Sequence, residues 1–172
     1  MPDSKLDVLW APWRLEYVAE SPAAKGGCFI CDGLAKVNDR DNLVVWRTPL
    51  GVVILNRFPY NNGHLLIAPK AHKAELKDLN AQEVLDIQNA LTQMISILDQ
   101  LLKPEGYNIG LNLGKVAGAG LPGHLHWHLV PRWNGDTNFM TATSGTRVIV
   151  QSLEALYDLL QDALNPKEHH GP

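Results

Sequence analysis

Residues 123–133 have the sequence GHLHWHLVPRW, in which polar and apolar side chains alternate. Three histidines occupy every second position: His124, His126 and His128. The residues between and after them are apolar: Leu125, Trp127 and Leu129. A β-strand turns successive side chains to opposite faces, so a strand over 124–130 predicts three imidazoles on one face, about 6.6 Å apart from one to the next. The other face is then free to pack on a helix.

Two other interpretations of this segment have to be weighed. An alternating strand can simply expose its polar face to solvent, although such faces usually carry Thr, Lys, Glu or Ser. Three histidines on alternate positions can also converge on one metal ion. The preceding loop favours phosphate chemistry instead. It spans 114–123 (GKVAGAGLPG) and contains four glycines, which permit positive φ and let backbone amides form an anion-binding nest.

The remaining chain predicts further strands and two helices. The strands are expected at 43–47, 51–55, 64–68 and 107–113, the first two forming a hairpin around Thr48-Pro49. A long amphipathic helix begins after Asn80, where Glu83 completes a capping box, and ends at Pro104. A shorter helix is expected at about 152–164. The connections are too short for repeated crossovers, which predicts an antiparallel α+β fold of about five strands with one long and one shorter helix.

The composition is that of one globular domain. The chain has 172 residues, 45% of them hydrophobic, and a formal net charge of −3. No strongly basic stretch, membrane-length apolar run or signal peptide is visible, so we expect a cytoplasmic protein that binds neither membranes nor extended nucleic acid. We divide the chain into an aromatic N-terminal arm packed on the core (1–27), a single domain (28–165) and a flexible tail (166–172).

The two cysteines, Cys28 and Cys31, form a CxxC motif. Without a secretion signal a structural disulfide is not expected. Three interpretations stay open at this point: a metal site, a redox pair and two ordinary thiols.

The histidine segment resembles the His-x-His-x-His-x-x signature of the histidine triad (HIT) family of nucleotide hydrolases and transferases. Asn56-Arg-Phe-Pro59, Gly63-His64, Pro69 and His72 are similar to the family's nucleotide-binding strands. The segments WAPWRLEY, PYNNGH, GLNLG and GDTNF extend the likeness over roughly residues 9–164. They most resemble bacterial diadenosine tetraphosphate phosphorylase-like members.

The resemblance implies a HIT-like fold and a covalent mechanism. The middle histidine, His126, is expected to attack the α-phosphorus of a nucleotide, while His128 assists the leaving group. The first histidine, His124, is expected to support the site or to bind a metal. Asn112 and loop amides at Gly118, Gly120 and Leu121 are expected to contact the phosphates, and Asn56 the ribose.

One departure from the family affects the phosphate site. Many members carry Gln followed by Ser or Thr just before the triad, whereas this chain has Gly120 and Leu121 in a loop one residue longer. Phosphate contacts must then come more from the backbone, which suits inorganic phosphate as the acceptor.

Some family members hold a structural zinc on residues matching Cys28, Cys31, His72 and His124. The resemblance also implies a homodimer. The expected function is nucleotidyl transfer or hydrolysis on dinucleoside polyphosphates, with phosphorolysis favoured. The alternatives are a nucleoside phosphoramidate or dinucleoside polyphosphate hydrolase, and a nucleotide-binding regulatory protein with little turnover.

Overall fold

The structure is a computed structural model that describes residues 27–136 and 149–166. The expected N-terminal arm and tail lie outside the described residues, apart from Gly27 and Pro166. Among the described helices, none is long and apolar enough to cross a membrane. The cytoplasmic location stays a prediction from the sequence.

The described residues form one five-stranded antiparallel sheet, as predicted. The strands are β1 (Val44–Arg47), β2 (Gly51–Leu55), β3 (Leu65–Pro69), β4 (Gly106–Leu111) and β5 (Trp127–Arg132). Their order in the sheet is β1-β2-β3-β5-β4, so the histidine strand β5 lies between β3 and β4. Residues 43–55 contain the predicted hairpin, since β1 pairs antiparallel with β2.

In the described ranges, three α-helices accompany the sheet: α1 (Phe29–Ala35), α2 (Ala81–Leu102) and α3 (Leu153–Leu164). The predicted capping box of α2 is present, with the Glu83 amide donating to Asn80 Oδ1 over 2.9 Å and the Asn80 amide to Glu83 Oε2 over 2.8 Å. Along the apolar stripe, Met94 and Leu98 are fully buried, whereas Val84 is 52% exposed.

The short helix α1 was not predicted. Its seven residues include Gly33 and are too few to show a helical period. Its N-cap is a thiol, because Cys28 Sγ accepts the backbone N–H of Cys31 over 3.4 Å. Tertiary contacts stabilise this helix, since Ile30 is completely buried in the core.

The histidine strand begins later than predicted. The strand begins at Trp127 rather than at residue 124, so only His128 of the three histidines lies in it. The reason is a long-range contact: the Leu125 amide donates to the carbonyl of Lys73, in the connection between β3 and α2, over 2.7 Å. The apolar side behaves as predicted, with Leu129 fully buried in the core that contains Met94 of α2.

Candidate active site and metal centre

His126 has a defined tautomer. Its Nδ1 lies 2.8 Å from the backbone carbonyl oxygen of His124. A carbonyl oxygen can only accept, so Nδ1 carries the proton and Nε2 carries the lone pair. Burial lowers the pKa of His126 below its usual value, an effect only partly opposed by this hydrogen bond. At neutral pH the ring is therefore an uncharged imidazole with Nε2 available as a nucleophile.

His128 lies beside His126, with ring centroids 5.2 Å apart. Its Nδ1 is 2.9 Å from Nε2 of His64. The sequence places His64 only in a segment similar to the family's nucleotide-binding strands and does not predict this contact. The backbone N–H of Tyr60 donates to His64 Nδ1 over 3.0 Å, so the proton of His64 is on Nε2. His64 thus donates to His128 Nδ1, which leaves the proton of a neutral His128 on Nε2.

The pairing of β3 with β5 explains why His64 reaches this site. Leu66 is directly opposite His128, and His64 precedes Leu66 by two positions, on the same face of the chain. His64 is 1% exposed. The sequence shows a histidine just before a predicted strand, but it does not show the strand register that brings this histidine to His128.

His124 turns its ring away from the other two, toward the CxxC motif. Its Nδ1 is 3.2 Å from Cys28 Sγ and 3.6 Å from Cys31 Sγ. His72 Nδ1 lies 3.2 Å from Cys31 Sγ, and the four ligand atoms all lie within 4.8 Å of one another. Two thiols and two imidazoles at this spacing fit a closed tetrahedral Zn²⁺ site.

The hydrogen bond of the other ring nitrogen of His124 also supports a zinc site. Its Nε2 is 2.9 Å from the carbonyl oxygen of Pro69, so the proton is on Nε2 and Nδ1 faces the thiols as a ligand. Burial, together with the neighbouring Cys28 thiol, raises the pKa of Cys31 to about 11. A bound Zn²⁺ replaces such a thiol proton outright.

Two amides of the glycine loop, among them that of Gly118, which was expected to contact phosphate, are bonded within the loop. The amide of Gly118 donates to the carbonyl of Lys115 over 3.0 Å, and that of Ala119 to Gly114 over 3.3 Å. The Leu121 side chain is 6% exposed and belongs to the core, so only its backbone can face a substrate. Asn112 directly follows β4, whose last residue pairs with Trp127, and it therefore lies at the His126 end of the sheet.

Asn56 also lies close to the histidines. Its Nδ2 is 3.2 Å from His64 Nδ1, and its Oδ1 accepts the backbone N–H of Phe58 over 3.0 Å. The ribose contact expected of Asn56, like the phosphate contacts expected of Gly120, stays a prediction.

A five-stranded antiparallel sheet with this histidine segment beside β3 defines a histidine triad protein. Residues 37–135 match the HIT domain, and the chain belongs to the HIT family of nucleotide hydrolases and transferases. It is 38% identical to the AP-4-A phosphorylase of Mycobacterium tuberculosis (strain ATCC 25618 / H37Rv), over 91% of this chain and 83% of the relative.

Two further similarities are informative. The chain is 31% identical to the asymmetrical bis(5'-nucleosyl)-tetraphosphatase of Schizosaccharomyces pombe, over 54% of this chain and 50% of that protein. A crystal structure of a Zn-bound histidine triad family protein from Mycobacterium smegmatis superimposes with a TM-score of 0.61 at 26% identity, covering 86% of this chain and 94% of the other.

Proposed function

We propose that this protein is a phosphorylase of dinucleoside polyphosphates, which transfers a nucleotidyl group through His126 to inorganic phosphate. The observation that carries the proposal is the paired tautomers of His126 and His128. One ring presents a lone pair on Nε2, and its neighbour presents a proton on Nε2. Nucleophile and leaving-group donor thus stand side by side before any substrate binds. The 38% identity to an AP-4-A phosphorylase supports this substrate class.

The reaction proceeds in two displacements. His126 Nε2 attacks the α-phosphorus, the bond to the bridging oxygen breaks, and His128 donates a hydrogen bond to that departing oxygen. The positive charge that forms on the His126 ring is stabilised by its Nδ1–H bond to the carbonyl of His124. A phosphate oxygen then attacks the same phosphorus, and the P–N bond breaks to free His126. Diadenosine tetraphosphate gives ATP in the first step and ADP in the second.

Inorganic phosphate, rather than water, is expected to be the main acceptor. Gly120 and Leu121 provide no polar side chain where other family members carry Gln and Ser or Thr, and Leu121 packs into the core. This leaves backbone donors, which suit a tetrahedral anion. With diadenosine tetraphosphate and oxygen-18-labelled phosphate, we expect labelled ADP, and an ADP-to-AMP ratio that rises as phosphate increases through the millimolar range.

A hydrolase gives a different product pattern. AMP and ATP at every phosphate concentration would contradict the choice of acceptor and assign the protein to asymmetrical hydrolysis, the activity in the name of the Schizosaccharomyces pombe relative. A thermal shift with diadenosine tetraphosphate but without products would instead indicate a nucleotide-binding regulator.

We also propose that Cys28, Cys31, His72 and His124 hold one structural Zn²⁺ per chain. The four ligands close the coordination sphere, so the ion supplies stability rather than a position for substrate. His124 joins the two sites, because its ring lies in the ligand cluster while its carbonyl oxygen sets the tautomer of His126.

A homodimer is the expected assembly. Strand β4 lies at one end of the described sheet, and its Ile109 side chain is 49% exposed. An edge strand of the described sheet that carries an exposed apolar side chain favours pairing with a second copy. Light scattering should give twice the chain mass of 19.0 kDa. Ile109→Lys should shift it toward the monomer, whereas Val37→Lys, at a fully exposed position, should not. A wild-type mass of one chain would contradict the dimer.

A further inference from the structure

The segment Pro-Arg-Trp-Asn-Gly-Asp that follows the histidines ends in a largely buried carboxylate, Asp136, with no role in the steps above. The side chain of Asp136 is only 10% exposed. Its oxygens accept from Arg132 Nε over 2.5 Å and Arg132 Nη2 over 2.9 Å, and from the Trp133 amide over 3.2 Å. Arg132 is fixed in turn by Asn108 of β4, whose Oδ1 accepts from Nη1 over 2.7 Å. The carboxylate is therefore held rigidly at the end of β5.

The same carboxylate reaches across to the loop between β2 and β3. Asn61 Nδ2 donates to Asp136 Oδ2 over 2.9 Å and to the Pro131 carbonyl over 3.1 Å. The carbonyl of Asn61 accepts the His64 amide over 3.3 Å. These bonds fasten the loop that leads into β3 to the end of the histidine strand.

Tyr60, the residue before Asn61, contacts both His64 and His128. Its amide fixes the tautomer of His64, as described above. Its ring is nearly parallel to that of His128, at an angle of 18° with centroids 5.7 Å apart. A shift of Tyr60 would remove the shorter of the two contacts to His64 Nδ1, the other being from Asn56 Nδ2, and would release the orientation of His128.

We propose that Asp136 is a positioning residue for the leaving-group histidine. Through Asn61 it holds Tyr60 where the Tyr60 amide and ring set the tautomer of His64 and the orientation of His128. The inference rests on the proposed function for its catalytic consequence, whereas its structural part concerns the substrate-free protein.

The test compares Asp136→Asn and Asn61→Ala with a matched control, Asp158→Asn. Asp158 also accepts two bonds from one arginine, Arg40, but it lies on α3 at the β1 end of the sheet. The first readout is nitrogen-15 NMR of the histidine side chains without substrate. We expect wild type and Asp158→Asn to show His64 and His128 protonated on Nε2. We expect Asp136→Asn and Asn61→Ala to show mixed tautomers of these two histidines.

The second readout is steady-state kinetics with diadenosine tetraphosphate and phosphate. We expect kcat to fall about 10- to 100-fold in Asp136→Asn and Asn61→Ala, the scale of a small misplacement of a catalytic group. KM should change far less, because the binding contacts are kept. Asp158→Asn should keep both parameters.

The proposal would be overturned if Asp136→Asn and Asn61→Ala both kept single tautomers and the wild-type kcat. It would also be overturned if kcat fell while the histidine spectra stayed unchanged. If Asp136→Asn does not fold, Asn61→Ala decides, since it leaves the Arg132–Asp136 pair intact. If the wild-type protein has no transferase activity, the proposed function fails, while the NMR comparison still tests the positioning.

Discussion

Replacing His126 by alanine is expected to lower kcat by roughly 10⁴-fold or more, the range observed when an enzyme loses its nucleophile. The Nε2 lone pair of this ring is the atom that we assign to the α-phosphorus, and the tautomer enforced by the His124 carbonyl directs it there. Nucleotide affinity, measured by calorimetry, should stay within about 10-fold of wild type, because the proposed loop and ribose contacts do not involve His126.

A chemical rescue separates the nucleophile from a packing role. His126 is 5% exposed and lies edge-on to Phe29, so a glycine there would leave a ring-sized space between Phe29 and His128. Free imidazole should restore part of the turnover of His126→Gly and none of the turnover of a His128 variant. Near-normal turnover in His126→Ala without imidazole would contradict the mechanism.

Loss of the metal is expected to have the second large effect, on stability. Cys31→Ser should reduce the zinc content from about one per chain to near zero. An ion present at about 1,000 times its Kd stabilises a fold by roughly 4.1 kcal/mol, which corresponds to a melting temperature lower by roughly 8–16 °C. Helix α1 should lose the most stability, because its N-cap Cys28 and its third residue, Cys31, are both proposed zinc ligands.

Metal analysis of protein purified without added zinc, followed by calorimetry, checks this expectation. Lys77→Ala is the matched control, since Lys77 lies in the same connection as His72 and pairs with the exposed Glu75 rather than with a residue of the cysteine–histidine cluster. It should keep both the zinc and the melting temperature. A metal-free wild-type protein with full stability and activity would show that the four residues do not form a zinc site.

Local interactions explain which parts of the fold could be predicted. The capping box at Asn80 and the stop at Pro104 depend on residues close in sequence, and α2 occupies Ala81–Leu102 as expected. The hairpin around Thr48 is similarly local, with the Gly51 amide donating to Thr48 Oγ1 over 2.8 Å.

Long-range contacts explain why the sequence did not predict the start of β5 or the contacts of His64 and Asn61. Strand β5 begins only at Trp127 because the Leu125 amide bonds to the Lys73 carbonyl, and the ring of His124 faces Cys28, 96 positions away along the chain. The alternation of polar and apolar residues shows neither contact. The link from His64 to His128 depends on strand register, and the link from Asn61 to Asp136 on how a loop closes over β5. Neither leaves a periodic pattern in the sequence.

The covalent intermediate on His126 is the central claim, and trapping it is the most direct test. Wild-type protein is mixed with diadenosine tetraphosphate without phosphate, quenched within milliseconds under alkaline conditions that preserve phosphoramidates, and analysed by intact and peptide mass spectrometry. We predict a mass increase of one adenylyl group on the peptide containing His126, its absence in His126→Ala, and its conversion to ADP when phosphate is added before the quench. Turnover without any adduct, or an adduct on another residue, would contradict the account.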